Sequence, residues 1–173
     1  MSERQPTEVK NLDRYGNAAL AWSRARDALA TIGSQHVTFF LGTVRPDGRP
    51  HAAGVGALYD GGDLYLVSGP GTRKSRNLGA NARCTISVSL RGIDLVFDGA
   101  AARVTDAPTL ERLAALYRES GWPAQVERDA FTAPFSAPSA GAPPWHLYRF
   151  VFRTVVGVAS EEPYGATRWR FLT

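Results

Sequence analysis

The sequence predicts a mainly β protein, an antiparallel closed or split β-barrel with a few peripheral helices. Three observations predict it. Six or seven short runs rich in β-branched and aromatic residues are separated by turn residues. Two of the breaks, Pro46-Asp47-Gly48 and Asp60-Gly61-Gly62, have the composition of tight hairpin turns. Helical periodicity is confined to a small part of the chain. A sheet of that many antiparallel strands hides its edges by closing.

The elements follow in order. Residues 1–12 are polar and read as a frayed end. In 17–32, Leu20, Ala25, Leu29 and Ile32 mark one face of a helix, and Gly33 is its stop. The period then shortens, giving strands over 36–45, 49–59 and 63–68. Arg76-Asn77-Leu78 lies on a short helix. Strands over 83–90 and 93–105 turn about Arg91-Gly92. Pro108 opens a second helix with Leu110, Leu113, Leu116 and Tyr117 on one face, and Gly121-Trp122-Pro123 breaks it. Residues 124–130 read as one more turn of helix. Residues 132–144, TAPFSAPSAGAPP, are rich in proline and read as a covering loop rather than a free linker. A long strand over 145–158 and a short one over 167–171 complete the barrel. The chain shows no repeat and no composition boundary, so one domain spanning 1–173 is expected.

Composition narrows the function classes. The 173 residues are 44% hydrophobic and 21% charged, as expected of a globular protein. A net charge of +4 is carried mostly by scattered arginines, which suits a phosphorylated small ligand better than nucleic acid. The single cysteine, Cys84, excludes an internal disulfide and a cysteine-built metal site; its strand-like neighbours make it an inert buried thiol. No apolar run is long enough to span a bilayer and no signal-peptide core is present, so a cytoplasmic protein with no membrane partner is expected.

The chemistry concentrates between Thr43 and Asn81. Gly69-Pro70-Gly71-Thr72-Arg73-Lys74 combines glycines, a hydroxyl and two cations at the start of a helix, the components of an anion seat; a solvated basic turn is the bland alternative. Arg76 either extends that seat or faces water, and Asn77 either supports the turn or bonds locally. His51-Ala52-Ala53-Gly54-Val55-Gly56 is unusually small for a strand, which suits close approach by a flat ring, a helix or a second subunit. His51 reads as a hydrogen-bonded side chain rather than a catalyst, and His36 and His146 as structural. The three histidines lack metal-ligand spacing, so no metal site is expected. No Gly-x-Ser-x-Gly elbow, Gly-x-Gly-x-x-Gly loop or Walker lysine loop is present. Glu161-Glu162 reads as a solvated turn. Trp22 and Trp122 belong to helical apolar faces and read as core. Trp145 and Trp169 line a cleft or simply pack the barrel mouth.

Several of these residues carry a family resemblance. Thr43-x-x-Pro46-Asp47-Gly48-x-Pro50-His51, Leu64-Tyr65-Leu66, Lys74-x-Arg76-Asn77-Leu78-x-x-Asn81 and Asp98-Gly99-x-Ala101 resemble the pyridoxamine 5′-phosphate oxidase-like family, and more widely the split-barrel flavin and deazaflavin oxidoreductases. The likeness implies an FMN-binding type of split barrel, a homodimer with cofactor sites at the subunit interface, and FMN or coenzyme F-420 as cofactor. It implies that Lys74 and Arg73 bind the phosphate, with hydroxyl contacts from Thr72 and Ser68. It further implies that His51, Ala52, Ala53 and Val55 flank the ring, that Asn77 supports the turn, and that Trp145 and Trp169 lie nearby. The chain ends Arg-Trp-Arg-Phe-Leu-Thr rather than in the Arg-Leu-x-Pro type ending of true pyridoxamine 5′-phosphate oxidases. The implied activity is therefore hydride transfer to or from another small organic substrate, with no catalytic side chain assigned. The alternative is a flavin- or haem-binding module without turnover, with His51 or His36 as a haem ligand.

Overall fold

The computed structural model describes residues 4–32 and 37–172. Eleven strands and three α-helices are described in them: β1 Glu8–Asn11, α1 Trp22–Ala30, β2 Phe39–Val44, β3 Pro50–Val55, β4 Ala57–Asp60, β5 Asp63–Ser68, α2 Arg73–Ala80, β6 Arg83–Leu90, β7 Ile93–Val104, α3 Ala107–Glu119, β8 Gln125–Glu127, β9 Ala130–Thr132, β10 His146–Ala159 and β11 Ala166–Arg170. All the strand pairs are antiparallel. The expected mainly β, split-barrel architecture is what the chain adopts.

Strand β10 is the axis of the barrel. Along one edge it pairs with β7 over nearly its whole length, from Leu147↔Val104 to Ala159↔Ile93. Its other edge is divided: residues 146–150 pair with β5 and residues 154–158 with β11. That divided edge is what splits the barrel. Closure is completed by the segment from Pro50 to Asp60. Its first half, β3, pairs with β2; its second half, β4, pairs with β5. The circuit is therefore β10–β7–β6–β2–β3/β4–β5–β10. The sequence reads one strand over 49–59, and the structure breaks it at Gly56, where the chain changes partner.

Local chemistry sets the turns. Gly61 and Gly62 both have positive φ, 59° and 88°, which a two-residue hairpin turn of the right twist demands. Inside the barrel, Phe39, Leu41, Leu64, Leu66, Ile86 and Phe97 are fully buried. Trp169 on β11 is buried completely against Trp22 of α1, their ring centroids 5.4 Å apart, and its Nε1–H donates to the Leu20 carbonyl at 3.2 Å. Gly157 makes this possible, because a Cβ there would lie 2.7 Å from the Trp169 ring.

Four expectations change. Residues 8–11, expected to be frayed, form β1, which pairs with β11 because that strand offers a free sheet edge. Helix α1 is confined to Trp22–Ala30. Residues 125–132 form a small hairpin, β8–β9, not a helical turn. Strand 36–45 begins at Phe39, and His36 lies outside the described residues. None of the described helices is long and apolar enough to cross a membrane.

A buried carboxylate fastens the start of β5. Asp63, with 2% of its side chain exposed, accepts from Arg149 Nε at 2.7 Å and from Arg4 Nη1 at 3.1 Å. Arg4 also donates to the Phe152 carbonyl and lies 4.7 Å from the centre of the Phe152 ring. The chain's first described residue is thereby tied to the barrel axis. Replacing Arg4 and Arg149 together by methionine strands an unpaired buried charge and is expected to cost about 3–5 kcal/mol. Asp63→Asn leaves behind arginines that still reach solvent, Arg149 about half exposed and Arg4 partly so, and is expected to cost about 1–2 kcal/mol. Urea unfolding of the two variants measures the asymmetry, and equal costs would contradict it.

Candidate functional site

The site is built where β5 runs into α2. After Ser68 the chain passes through Gly69-Pro70-Gly71, and Thr72 caps the helix by accepting from Ser75 N. Gly69 donates its N–H to the Ala140 carbonyl at 2.7 Å; a Cβ there would come 2.5 Å from that oxygen, so the contact requires glycine. The first helical bond of α2 runs from Arg76 N to Thr72 O. The N–H groups of Arg73 and Lys74 therefore precede the helical ladder, at the positive end of the helix dipole.

Lys74 is the unusual residue here. Its side chain is buried, only 4% of the residue being exposed, and its Nζ donates to the Ser139 carbonyl at 2.8 Å. Among the described residues no carboxylate pairs with it. Burial alone holds its pKa below the ordinary lysine value. Arg73, next to it, is exposed. Arg76 is exposed too and donates to the Gly71 carbonyl at 2.7 Å.

A buried relay fixes α2 to the sheet. Asn77, fully enclosed, donates from Nδ2 to Thr43 Oγ1 at 3.0 Å, and that hydroxyl donates to the His51 carbonyl at 3.4 Å. Asn77 Oδ1 and His51 Nδ1 are enclosed without partners. The His51 imidazole is pushed below its ordinary value of 6.5, first by desolvation and then by Arg45, Arg73 and Lys74. Three cations thus converge around one neutral imidazole.

Beside this cationic corner opens a cavity of about 690 Å³, within the range of small-molecule sites. One wall is Gly54, Val55, Gly56 and Ala57, where β3 gives way to β4; Lys74 reaches into it. The opposite wall is the end of α3 and the following turn, with Tyr117, Ser120 and Trp122, together with residues 135–140. Trp122 Nε1–H donates to the Phe135 carbonyl at 2.6 Å, and the ring stands edge-on to Tyr117 and Trp145 at 5.2 and 5.7 Å between centroids. The loop over 132–144, expected to cover something, covers this cavity and is pinned by Lys74, Gly69, Trp122 and Trp145.

The expected site residues divide into three groups. Lys74 and Val55 line the cavity. Arg73, His51 and Asn77 belong to the cationic corner and its relay, and Ala52 and Ala53 continue β3 from His51, Ala52 exposed and Ala53 half-buried. The remaining four have other work in this structure. Ser68, Thr72 and Ser75 hydroxyls form a closed triangle with sides of 2.8, 2.8 and 3.1 Å, and Thr72 also donates to Gly69 O. Ser68 and Thr72 therefore shape the turn, where hydroxyl contacts to a phosphate were expected. Trp145 is buried, donates to the Gly141 carbonyl at 3.0 Å and holds the loop. Trp169 is enclosed in the barrel core, with no face left for a ligand, and is withdrawn from the site. Trp122, expected in the core, is half-buried at the cavity wall instead. Arg45 and Tyr117 were missed: Arg45 sits at the hairpin end, where sequence offers only a turn cation, and Tyr117 sits on the helical face read as core. No group of three or more potential metal-ligating side chains occurs among the described residues.

Fold and site together describe a split barrel with a cationic corner beside a largely apolar cavity. The chain belongs to the pyridoxamine 5′-phosphate oxidase family, which it matches over residues 25–154, a flavin-binding fold. Among solved structures it is similar to an F420 reductase, at 20% identity, 72% of this chain and 93% of that one, and a TM-score of 0.51. It is also similar to a heme-binding protein from Mycobacterium smegmatis, at 16% identity, 82% and 57% coverage, and TM-score 0.56. A NimC/NimA family protein from Clostridium acetobutylicum matches at 16% identity, 84% and 91% coverage, and TM-score 0.52. At these identities the neighbours establish the fold. The comparison with curated proteins gave no match.

The cationic corner makes a prediction about protons. The folded chain binds the His51 proton less readily than the unfolded chain does, so this residue's contribution destabilises the fold as pH falls below 6.5. An anion resting on Arg45, Arg73 and Lys74 offsets their repulsion and raises the His51 pKa. Titrating the imidazole by NMR with and without inorganic phosphate is expected to show that upward shift; an unchanged pKa would mean that phosphate does not reach these cations.

Proposed function

We propose that this protein is a flavin- or deazaflavin-dependent oxidoreductase, using FMN or coenzyme F-420, and that it works as a homodimer on a small organic substrate. The observation that carries the reading is Lys74: a buried ammonium without a carboxylate partner, facing an apolar cavity beside the small-residue strand. Burying a cation is unfavourable unless an anion or strong acceptors compensate it. One carbonyl meets one of its three protons. A phosphate would complete the set, joined by the N–H groups that open α2 and by Arg73.

In this reading each residue has a binding or orienting task. Gly54 and Gly56 let a ring approach the backbone. The Asn77–Thr43 relay keeps the phosphate seat in fixed register with that strand. Val55 and the aromatic wall keep water from the ring. The bound cofactor supplies the hydride chemistry, so no protein nucleophile is needed. Support for the dimer comes from the outer sheet face, where the cross-strand row Gly54–Phe40–Ser87–Val96 leaves Phe40 and Val96 about half exposed, at 54% and 48%. The likeness to an F420 reductase supports the redox reading.

A flavin- or haem-binding module without turnover is the second reading, favoured by the likeness to a heme-binding protein. The absorption spectrum of the purified protein, followed by addition of a reduced nicotinamide or reduced F-420, separates the two. A loaded protein whose spectrum never changes in the presence of reductant or acceptor would refute the oxidoreductase reading.

Lys74→Met separates binding from folding. Removing a buried, desolvated charge is expected to leave the ligand-free midpoint of urea unfolding unchanged or raised. Losing a charge-assisted contact worth about 1.5–3 kcal/mol is expected to weaken FMN or F-420 binding roughly ten- to a hundredfold. Fluorescence titration measures the second effect, and unchanged affinity would remove Lys74 from the phosphate seat.

A further inference from the structure

The cavity has more room and a different chemistry on its α3 side than a phosphate seat requires. We propose that the wall formed by Tyr117, Trp122 and Phe135 is the substrate half of the site and selects an uncharged, flat, apolar molecule, with Trp122 as the specificity-determining residue. The inference rests on the oxidoreductase reading for the word substrate, but the binding chemistry stands on the wall itself.

Trp122 is rigid. Its N–H is committed to the Phe135 carbonyl, and Tyr117, Phe131 and Trp145 stand edge-on around it at 5.2, 6.3 and 5.7 Å. A ring held this way offers the cavity an apolar surface and no free donor. Aromatic surfaces of this kind bind flat apolar rings by offset or edge contact. Two polar groups at the end of α3 are already engaged. Ser120 Oγ donates to the Tyr117 carbonyl, and the Tyr117 hydroxyl is buried 3.4 Å from the Tyr65 carbonyl, its pKa pushed up by burial and away from ionisation at neutral pH.

Charge completes the selection. Lys74 is the one charged side chain among the described residues that line the cavity, and it belongs to the phosphate end. With no carboxylate on the wall, a cationic ligand would be desolvated without a counter-charge and would face Lys74 as well. An anionic ligand would have to compete with the cofactor phosphate for the same ammonium. A neutral molecule meets neither obstacle.

The test uses the purified chain, with and without bound FMN, and two probes of one size: 2-naphthol, which is neutral at pH 7, and 2-naphthylmethylammonium, which is cationic. Quenching of tryptophan fluorescence reports binding. The expected result is that naphthol binds at least tenfold more tightly than the ammonium probe, in cofactor-free and FMN-loaded protein alike. Trp122→Ala is expected to weaken naphthol at least tenfold, followed by a competition assay with a fluorescent naphthol analogue, since the variant removes a reporter. Phe135→Ala guards against misfolding of that variant: Phe135 is 60% exposed, so truncating it leaves the core intact, and it is expected to weaken naphthol binding several-fold. Equal affinity for the two probes, retention of naphthol by both variants, or displacement of naphthol by FMN would overturn the proposal. Naphthol binding in a chain that takes up neither FMN nor F-420 would refute the cofactor reading and leave the apolar, neutral-selective wall standing.

Discussion

The exchange of partners at Gly56 governs the architecture of this protein. A single stretch of chain, from Pro50 to Asp60, gives its first half to β2 and its second half to β5. The barrel closes because of that exchange. It also opens there, since a strand that leaves one neighbour for another cannot keep both edges paired around the crossing. The cavity sits against this crossing, and the backbone of residues 54–57 forms its wall. A side chain at position 56 would fill space that the fold itself leaves empty.

The rest of the site is anchored to that crossing. Asn77 and Thr43 tie α2 to β2 and to the His51 carbonyl, so the helix carrying the cations cannot drift relative to the small-residue strand. On the far side, Lys74 and Gly69 hold the loop at Ser139 and Ala140, and Trp145 holds it at Gly141. Buried polar contacts of this kind set position more than they add stability. Hydrophobic burial in the barrel supplies the stability, as the run of fully enclosed Phe, Leu and Ile side chains shows.

The strands, the two main hairpins and the basic turn were legible in the sequence because each is a local signal: alternation, paired glycines, cations beside glycines. Partner exchange was not legible, since Gly56 looks like any glycine in a strand until β2 and β5 are both in place. Order in β1 escaped for the same reason; its residues are exposed on both faces and gain their structure from the edge of β11. The aromatic assignments moved in opposite directions. Trp169 lies on a barrel strand and was read as lining a cleft or packing the barrel mouth; Gly157 across the sheet leaves a hole that its ring fills, so no face is left for a cleft. Trp122 follows a helical face and was read as core, but the chain turns at Gly121 and leaves its ring facing the cavity.

The bond between Lys74 and the Ser139 carbonyl has a kinetic meaning. The loop over the cavity is held partly by the same ammonium that would grip an anion, and an ammonium has three protons to share. An entering anion need not break the loop contact; it can take the protons left over and draw charge toward itself while the carbonyl stays in place. A loop that stays fastened in this way limits entry and departure alike. Residence time in such a site would be governed by how often residues 135–140 lift, a property of the covering segment and not of the ligand beneath it.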